Sequence, residues 1–383
     1  MKRLTLLLLA ILMSITLFAC NQKPLINPNE DFCVEGRNEG VFVCEKRFTS
    51  YFDTIISLKI YYDKDSNYDL DEVYQEFLEL TEKFHQYFDK YNEYEGVNNI
   101  YTINNSNEPV TVDLELFEAV EYALENDDLL TDGDTLLFNI ALDPVLQIWH
   151  NARGSSLCDP FIEFGTDYCP VPTSELEDKT FNVNPDDILM DRENLTIGFS
   201  KDNMGIDLGG FAKGYVTDKI ASYLNQYNIN YILNLGNSNV YVNGINVDRE
   251  DGAYYIALTK PFAAFNDPQP YYGIVKLTNG LHLVSSGSYQ RYFKNINDYS
   301  DEKIYHHIID PRTNYPGGDF PSVTILYNSG TKGDILSTIL FLLSVEEGLE
   351  YVNNNDDLEA SWYLGADNIV MSDGFADYLL DLN

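Results

Sequence analysis

Positive charge is scarce in this chain of 383 residues: 24 Lys and Arg stand against 61 Asp and Glu, for a formal net charge of −37. A nucleic acid or an anionic lipid face demands clustered Lys and Arg, so that balance excludes both as partners of the body. Cysteine is also sparse. Beside Cys20 there are only Cys33 with Cys44 and Cys158 with Cys169, and neither pair has the C-x2-4-C spacing of a structural zinc site. In an oxidising compartment each pair reads as a disulfide closing a short loop. The familiar nucleotide motifs are missing too. The glycine-bearing stretch GIDLGGFAKGYVTD, Gly205 to Asp218, is neither G-x-x-x-x-G-K-[ST] nor G-x-G-x-x-G, which removes the P-loop and the dinucleotide fold. The apolar run at the start of the chain is short for a span of about 20 residues.

That run, MKRLTLLLLAILMSITLFAC, has a basic pair, an apolar stretch and a small residue before a cysteine. It predicts a lipoprotein signal over residues 1–19, with Cys20 carrying the lipid and the body facing outside the cytoplasm, anchored to a cell membrane. Residues 20–46 are polar, with scattered Pro and Gly, and read as a tether ending in a Cys33–Cys44 loop. FTSYFDTIISLKIYY alternates and is rich in β-branched and aromatic residues, as a first strand does. Helical spacing follows over Asp69–Tyr91 and Val112–Asn126. His85, in the first of these, has no evident partner. Residues 154–184 form a polar, cysteine-bearing insertion within a body spanning 47–383.

Two stretches point to chemistry. In GIDLGGFAKGYVTD, paired glycines precede a helix that begins near Phe211, so its N-terminal N–H groups, with Lys213, offer an anion site. In HHIIDPRTNYP, alternation sends His306 and His307 to opposite faces. Near the C-terminus, Gly333 opens a helix on which Asp334 and Thr338, four apart, share a face. The mixed order of strands and helices predicts an α+β fold with largely antiparallel sheet, and the length predicts two packed lobes.

DLGGFAKGYVTD, NLGNSNVYVNG, SSGSYQRYF, HHIIDPRTNYP and GDILSTILFLL occur in one order, and together they resemble the ApbE flavin transferases, from about Phe48 to the C-terminus. The resemblance implies a T-fold-related architecture with FAD between the lobes. It implies transfer of FMN from FAD to a Ser or Thr hydroxyl of an acceptor protein, an extracytoplasmic redox protein, with release of AMP. His307 then takes the hydroxyl proton. Asp207, Lys213, Leu137, Phe138, Asn139, Ser286, Gly287, Ile309 and the backbone of Tyr51 contact FAD. Mg²⁺ is held by Asp334, Thr338 and the Gly210 carbonyl, hard oxygen donors suited to that ion. Asn239 supports the cofactor and Arg291 supplies a counter-charge. Leu136, Asn139 and Asn314 stand where the family has glycine, aspartate and glycine. Two other readings fit the same residues: a metal-dependent FAD pyrophosphatase that uses water, and a lipoprotein that binds flavin or solute without chemistry.

Overall fold

The computed structural model describes residues 33–382 apart from 64–67, 164–165, 178, 265 and 367. The signal segment, Cys20 and the tether as far as residue 32 lie outside the described residues.

Nine strands form the main sheet: β1 Cys33–Glu35, β2 Val41–Phe48, β3 Ile56–Asp63, β4 Asn230–Leu235, β5 Asn239–Asn243, β6 His282–Gly287, β7 Ser322–Tyr327, β8 Glu359–Gly365 and β9 Asn368–Met371. Neighbours follow chain order, and every pair is antiparallel. Helices α1 Leu70–Phe88, α2 Leu114–Glu125, α3 Asp143–Arg153 and α4 Ala212–Leu224 fall between β3 and β4, and α5 Gly330–Leu342 between β7 and β8.

The period-2 pattern of the strands sorts their side chains between two apolar clusters. Val284, Val323 and Ile325 join the cluster that contains the helices, while Val240, Val242, Leu283 and Leu326 join another, with strands Tyr254–Thr259 and Tyr271–Leu277. Each fully buried aliphatic chain of this kind contributes about 1.5–3 kcal/mol. A third cluster gathers Trp149, Cys169, Phe293 and Tyr305 around α3. The 154–184 insertion supplies two strands, Asp159–Glu163 and Thr166–Cys169. The second pairs with Tyr292–Asn295, which in turn pairs with Ile304–His306, and a Cys158–Cys169 disulfide closes a loop within the insertion. The insertion thereby braces the segment that leads to His307.

Two elements differ from the sequence reading. Residues 33–46 are an edge hairpin rather than tether: Val41 and Cys44 are buried, and Cys33 and Cys44 are register partners joined by a disulfide. The first strand is two strands, parted by a turn in which Phe52 and Asp53 adopt left-handed φ of 54° and 49°. Non-glycine residues reach that region only where surroundings over-determine it. Here the Phe52 N–H donates to His85 Nδ1 at 3.3 Å and the Phe52 ring packs on the His85 ring, so this histidine is a brace for the turn.

Helix α1 starts where the Asp69 carboxylate accepts the Asp71 N–H, and it stops at Asp89, whose carboxylate accepts the N–H groups of Tyr91 and Asn92. That turn delivers Lys90 to the interior. Helix α5 begins three residues before Gly333, capped by Ser329, and is apolar nearly all round because both its sides are covered. Gly214 lets α4 reach it. A Cβ there would overlap the Gly330 carbonyl. Gly214→Ala is therefore expected to lower stability by about 1–3 kcal/mol, the range for overpacking, as read by urea denaturation. Unchanged stability would show that the helices can part freely.

Candidate active site

The α4 approach, the first turn of α3, the β2–β3 turn, the end of β6, the His307 segment and α5 close around one cavity of ≈ 470 Å³, within the range of small-molecule sites. It is lined by Leu137, Phe138, Asn139, Asp207, Gly210, Lys213, Ser286, Gly287, His307, Ile309, Asp334 and Thr338. Of the residues singled out above for FAD, cation or catalysis, two lie outside that lining: Asn239 and Tyr51. The Tyr51 ring packs on Phe48 and His85, with burial and then Glu82 raising its hydroxyl to about 12. Its neighbours Ser50, Phe52, Asp53 and Thr54 line the cavity instead.

Several lining groups have structural work of their own. Asn139 caps a short 3-10 turn by accepting the Ala141 N–H, and its amide donates to the Val183 carbonyl. Asp207 accepts the Gly209 N–H at 2.7 Å and pairs with Lys90 at 2.6 Å, so its carboxylate braces the loop. Three of the amides at the start of α4, expected to meet phosphate, are engaged as well. The Phe211 and Ala212 N–H groups donate to the Leu208 carbonyl, and the Gly214 N–H donates to Asp334. Attraction for an anion then comes mainly from side chains.

Those side chains are present. Lys213, Arg153 and Arg291 line the cavity, and none has a carboxylate within salt-bridge distance among the described residues. In so acidic a molecule, three unpaired cations facing one space define an anion site. Arg153 is held below the usual guanidinium range by burial and then by Arg291, as expected of a charge awaiting its counter-ion. Neither Arg153 nor His150, which sits on the same helix and stacks on Tyr91, was signalled by a motif; only their meeting in space reveals them.

Lys90 has the opposite character. Its ammonium lies 2.6 Å from both Asp143 and Asp207, with its side chain 7% exposed. The three groups shift unequally: burial is outweighed by the two carboxylates for Lys90, which is raised, and by Lys90 for Asp207, which is lowered. For Asp143, burial prevails over Lys90 and its carboxyl is raised. One ammonium shared by two carboxylates gives that asymmetry. Asp207, being depressed, contributes stability that is present above the ordinary carboxylate pKa and lost as pH falls through its folded value. Lys90→Met should destabilise the protein by about 3–5 kcal/mol at neutral pH, because it strands buried charge. The deficit should shrink as pH is lowered and the two carboxylates take up protons. Urea denaturation at several pH values measures both, and a deficit that grew at low pH would contradict the assignment.

Asp334 sits one turn into α5, 5% exposed. One oxygen accepts the Gly214 N–H at 2.7 Å and the other the Asn239 amide at 3.2 Å. Burial raises its carboxyl despite nearby Lys213. Thr338, on the same face, donates to the Asp334 carbonyl at 3.0 Å, and Ser286 and Ser337 share a hydrogen bond beside them at 2.8 Å. The donor set around this corner is a carboxylate, hydroxyls and the Gly210 loop, all hard oxygen. A carboxylate oxygen has lone pairs for more than one partner, so Asp334 retains acceptor capacity after its two hydrogen bonds. That chemistry fits a small divalent cation completed by water and substrate oxygens.

His306 and His307 part as strand alternation requires. His306 is buried, accepts the Ile308 N–H and abuts Phe341, and burial draws it down to about 4. His307 lines the cavity. Its Nδ1 is buried without a partner, and burial, then His306, Arg291, Lys213 and Arg153, push it down to about 3. A neutral imidazole in the lining of an anion site is a proton acceptor in waiting. The rest of that motif holds it still. Arg312 forks onto Asp310, donates to the Leu342 carbonyl at 2.6 Å and reaches Asp132, while Asn314 takes the left-handed φ of 61° for which the family uses glycine.

Residues 52–362 match the ApbE family. The chain is 30% identical over 267 residues to an FAD:protein FMN transferase of Klebsiella pneumoniae (strain 342), covering 69% of this chain and 73% of that one. It is 27% identical over 257 residues to an FAD:protein FMN transferase of Haemophilus influenzae, covering 65% and 66%. Its fold is that of the ApbE protein from Thermotoga maritima, with a TM-score of 0.69 at 24% identity over 88% of this chain and all of that one.

Proposed function

The chain belongs to the ApbE family, and from that premise we propose that it is a transferase moving FMN from FAD to an acceptor protein, at a Ser or Thr hydroxyl and with Mg²⁺ held by Asp334, Thr338 and the Gly210 carbonyl. The observation that carries this reading is the placement of three unpaired cations, a partnerless neutral histidine and a buried carboxylate around one cavity.

Lys213, Arg153 and Arg291 draw the FAD pyrophosphate in against the field of the whole molecule, which salt screens beyond about 8 Å. Leu137, Phe138 and Ile309 give the flavin apolar walls, and Ser286 and Gly287 close the phosphate end. The acceptor hydroxyl attacks the FMN phosphorus, and the bond from that phosphorus to the bridging oxygen breaks. AMP leaves with that oxygen, and His307 takes the hydroxyl proton. A bound Mg²⁺ would offset charge building on the phosphate oxygens. Without FAD, neutral His307 is a weak base. The incoming phosphates oppose the three cations that depress it, so FAD makes it more basic where the proton must be taken.

The test is incubation of the purified full chain with FAD, Mg²⁺ and candidate secreted redox proteins, followed by mass spectrometry. Covalent FMN on a Ser or Thr, with one AMP per FMN, is the expected result. AMP with free FMN alone would make the protein a pyrophosphatase, and no AMP at all would make it a binding protein. We also propose that residues 1–19 are removed and that lipid on Cys20 anchors the body outside the cytoplasm, a reading supported by the basic, apolar and small-residue order of that segment. Cys20→Ser should release the protein from membranes, and retention of that variant would contradict the anchor.

A further inference from the structure

We propose that His282 and Asp218 are positioning residues for the Asp334 carboxylate, acting through Asn239; this rests on the reading of Asp334 as a cation ligand. Four side chains from four elements form one hydrogen-bonded line behind the cavity wall. Asp218, on α4, has an oxygen 3.2 Å from His282 Nε2 at the start of β6. His282 Nδ1 lies 3.2 Å from the Asn239 amide oxygen at the start of β5. The Asn239 amide nitrogen donates to Asp334 at 3.2 Å and to the Gly330 carbonyl at 3.3 Å.

The polarity of this line runs one way. The Asn239 oxygen only accepts, so His282 Nδ1 is the donor to it, with Nε2 turned to Asp218. With its oxygen turned to the imidazole, Asn239 must present its NH₂ to Asp334. The opposite amide orientation would set oxygen against carboxylate. Asp334 then receives one N–H on each oxygen, from Gly214 and from Asn239, and its remaining acceptor directions are left for a cation.

Helix capping alone does not account for these residues. Asp218 accepts the Gly330 and Thr331 N–H groups at 2.9 Å, which suffices to hold the start of α5. That duty needs neither His282 nor Asn239, which are 2% and 0% exposed. Burial raises the Asp218 carboxyl, but its bonds with His282 and Thr331 bring it below the usual carboxylate range, so the far end of the line stays anionic. The Tyr241 ring, 4.5 Å away, packs on the imidazole and limits its tilt. Partners behind a metal ligand fix its orientation, and their loss typically costs about 10–100-fold in metal affinity.

The experiment titrates Mg²⁺ by calorimetry, and Mn²⁺ by electron paramagnetic resonance, onto the full chain without FAD. His282→Leu should weaken cation binding about 10–100-fold. His282→Gln keeps an N–H₂ for the Asn239 oxygen and should recover most of that loss. If His282→Leu is poorly folded, the contrast of His282→Gln with Asn239→Leu carries the test, with near-parent affinity expected for the first and the full loss for the second. Parent affinity in His282→Leu or in Asn239→Leu overturns the proposal. Asp334→Ala is the control: it should bind no cation at the site, and parent affinity in that variant would place the failure in the cation-site reading itself.

Discussion

Replacing Asp334 with alanine is expected to cut FMN transfer by at least about 10²-fold, the scale on which a single group that stabilises developing charge is felt. Without cation the same variant should lose little stability, because relief of the buried carboxylate offsets the Gly214 and Asn239 donors left without an acceptor. The carboxyl is raised by burial, which means that its ionised form is disfavoured without a cation and tolerated for function. A residue there for folding would behave in the reverse way, lowering stability along with activity. Asp334→Asn is not a silent replacement either. Its amide can satisfy the Gly214 N–H, but it then opposes its own NH₂ to that of Asn239. Initial rates of AMP release, measured beside thermal unfolding without Mg²⁺, separate the two cases. Loss of stability with retained activity would contradict the assignment.

For His307→Ala the expected loss in kcat is about 10²–10⁴-fold, the usual contribution of a general base. FAD affinity should be unchanged, since the phosphate charge is met by Lys213, Arg153 and Arg291. The pH profile carries a second signature. The imidazole is pushed down to about 3 in the free protein, so it is in its basic form throughout the neutral range, and the acid limb of kcat/KM should lie far below the ordinary histidine value. The acid limb of kcat, which reports the FAD complex, should lie at higher pH because the bound phosphates offset Lys213, Arg291 and Arg153. Coincident acid limbs would mean that FAD does not change the field at the imidazole. A His307→Ala variant with parent kcat would remove the residue from the reaction.

The parts legible in the sequence were those whose signal is local. Strand alternation separates His306 from His307, helical spacing puts Asp334 and Thr338 on one face, and an 11-residue separation brings each cysteine pair within reach. What stayed hidden depends on contacts between distant segments. Lys90 meets Asp143 across 53 positions, and His282 meets Asn239 across 43, so neither pairing leaves a periodic trace. The amides at the start of α4 illustrate a different failure. A glycine pair before a helix suggests free N–H donors, but the turn at Leu208 folds back and takes two of them, and α5 takes a third through Asp334. The edge hairpin was masked by composition: its exposed residues read as tether, whereas Val41 and Cys44 are buried where the hairpin joins the sheet.

Crystals of the full body grown with Mn²⁺ and FAD would address the central claim most directly, since manganese is located by its anomalous scattering. The account predicts one ion in the cavity, coordinated by the Asp334 carboxylate, the Thr338 hydroxyl and a pyrophosphate oxygen, with the His307 ring on the opposite side of that phosphate. FAD phosphates held by Lys213, Arg153 and Arg291 with the ion elsewhere, or with Asp334 bound only to Gly214 and Asn239, would contradict it.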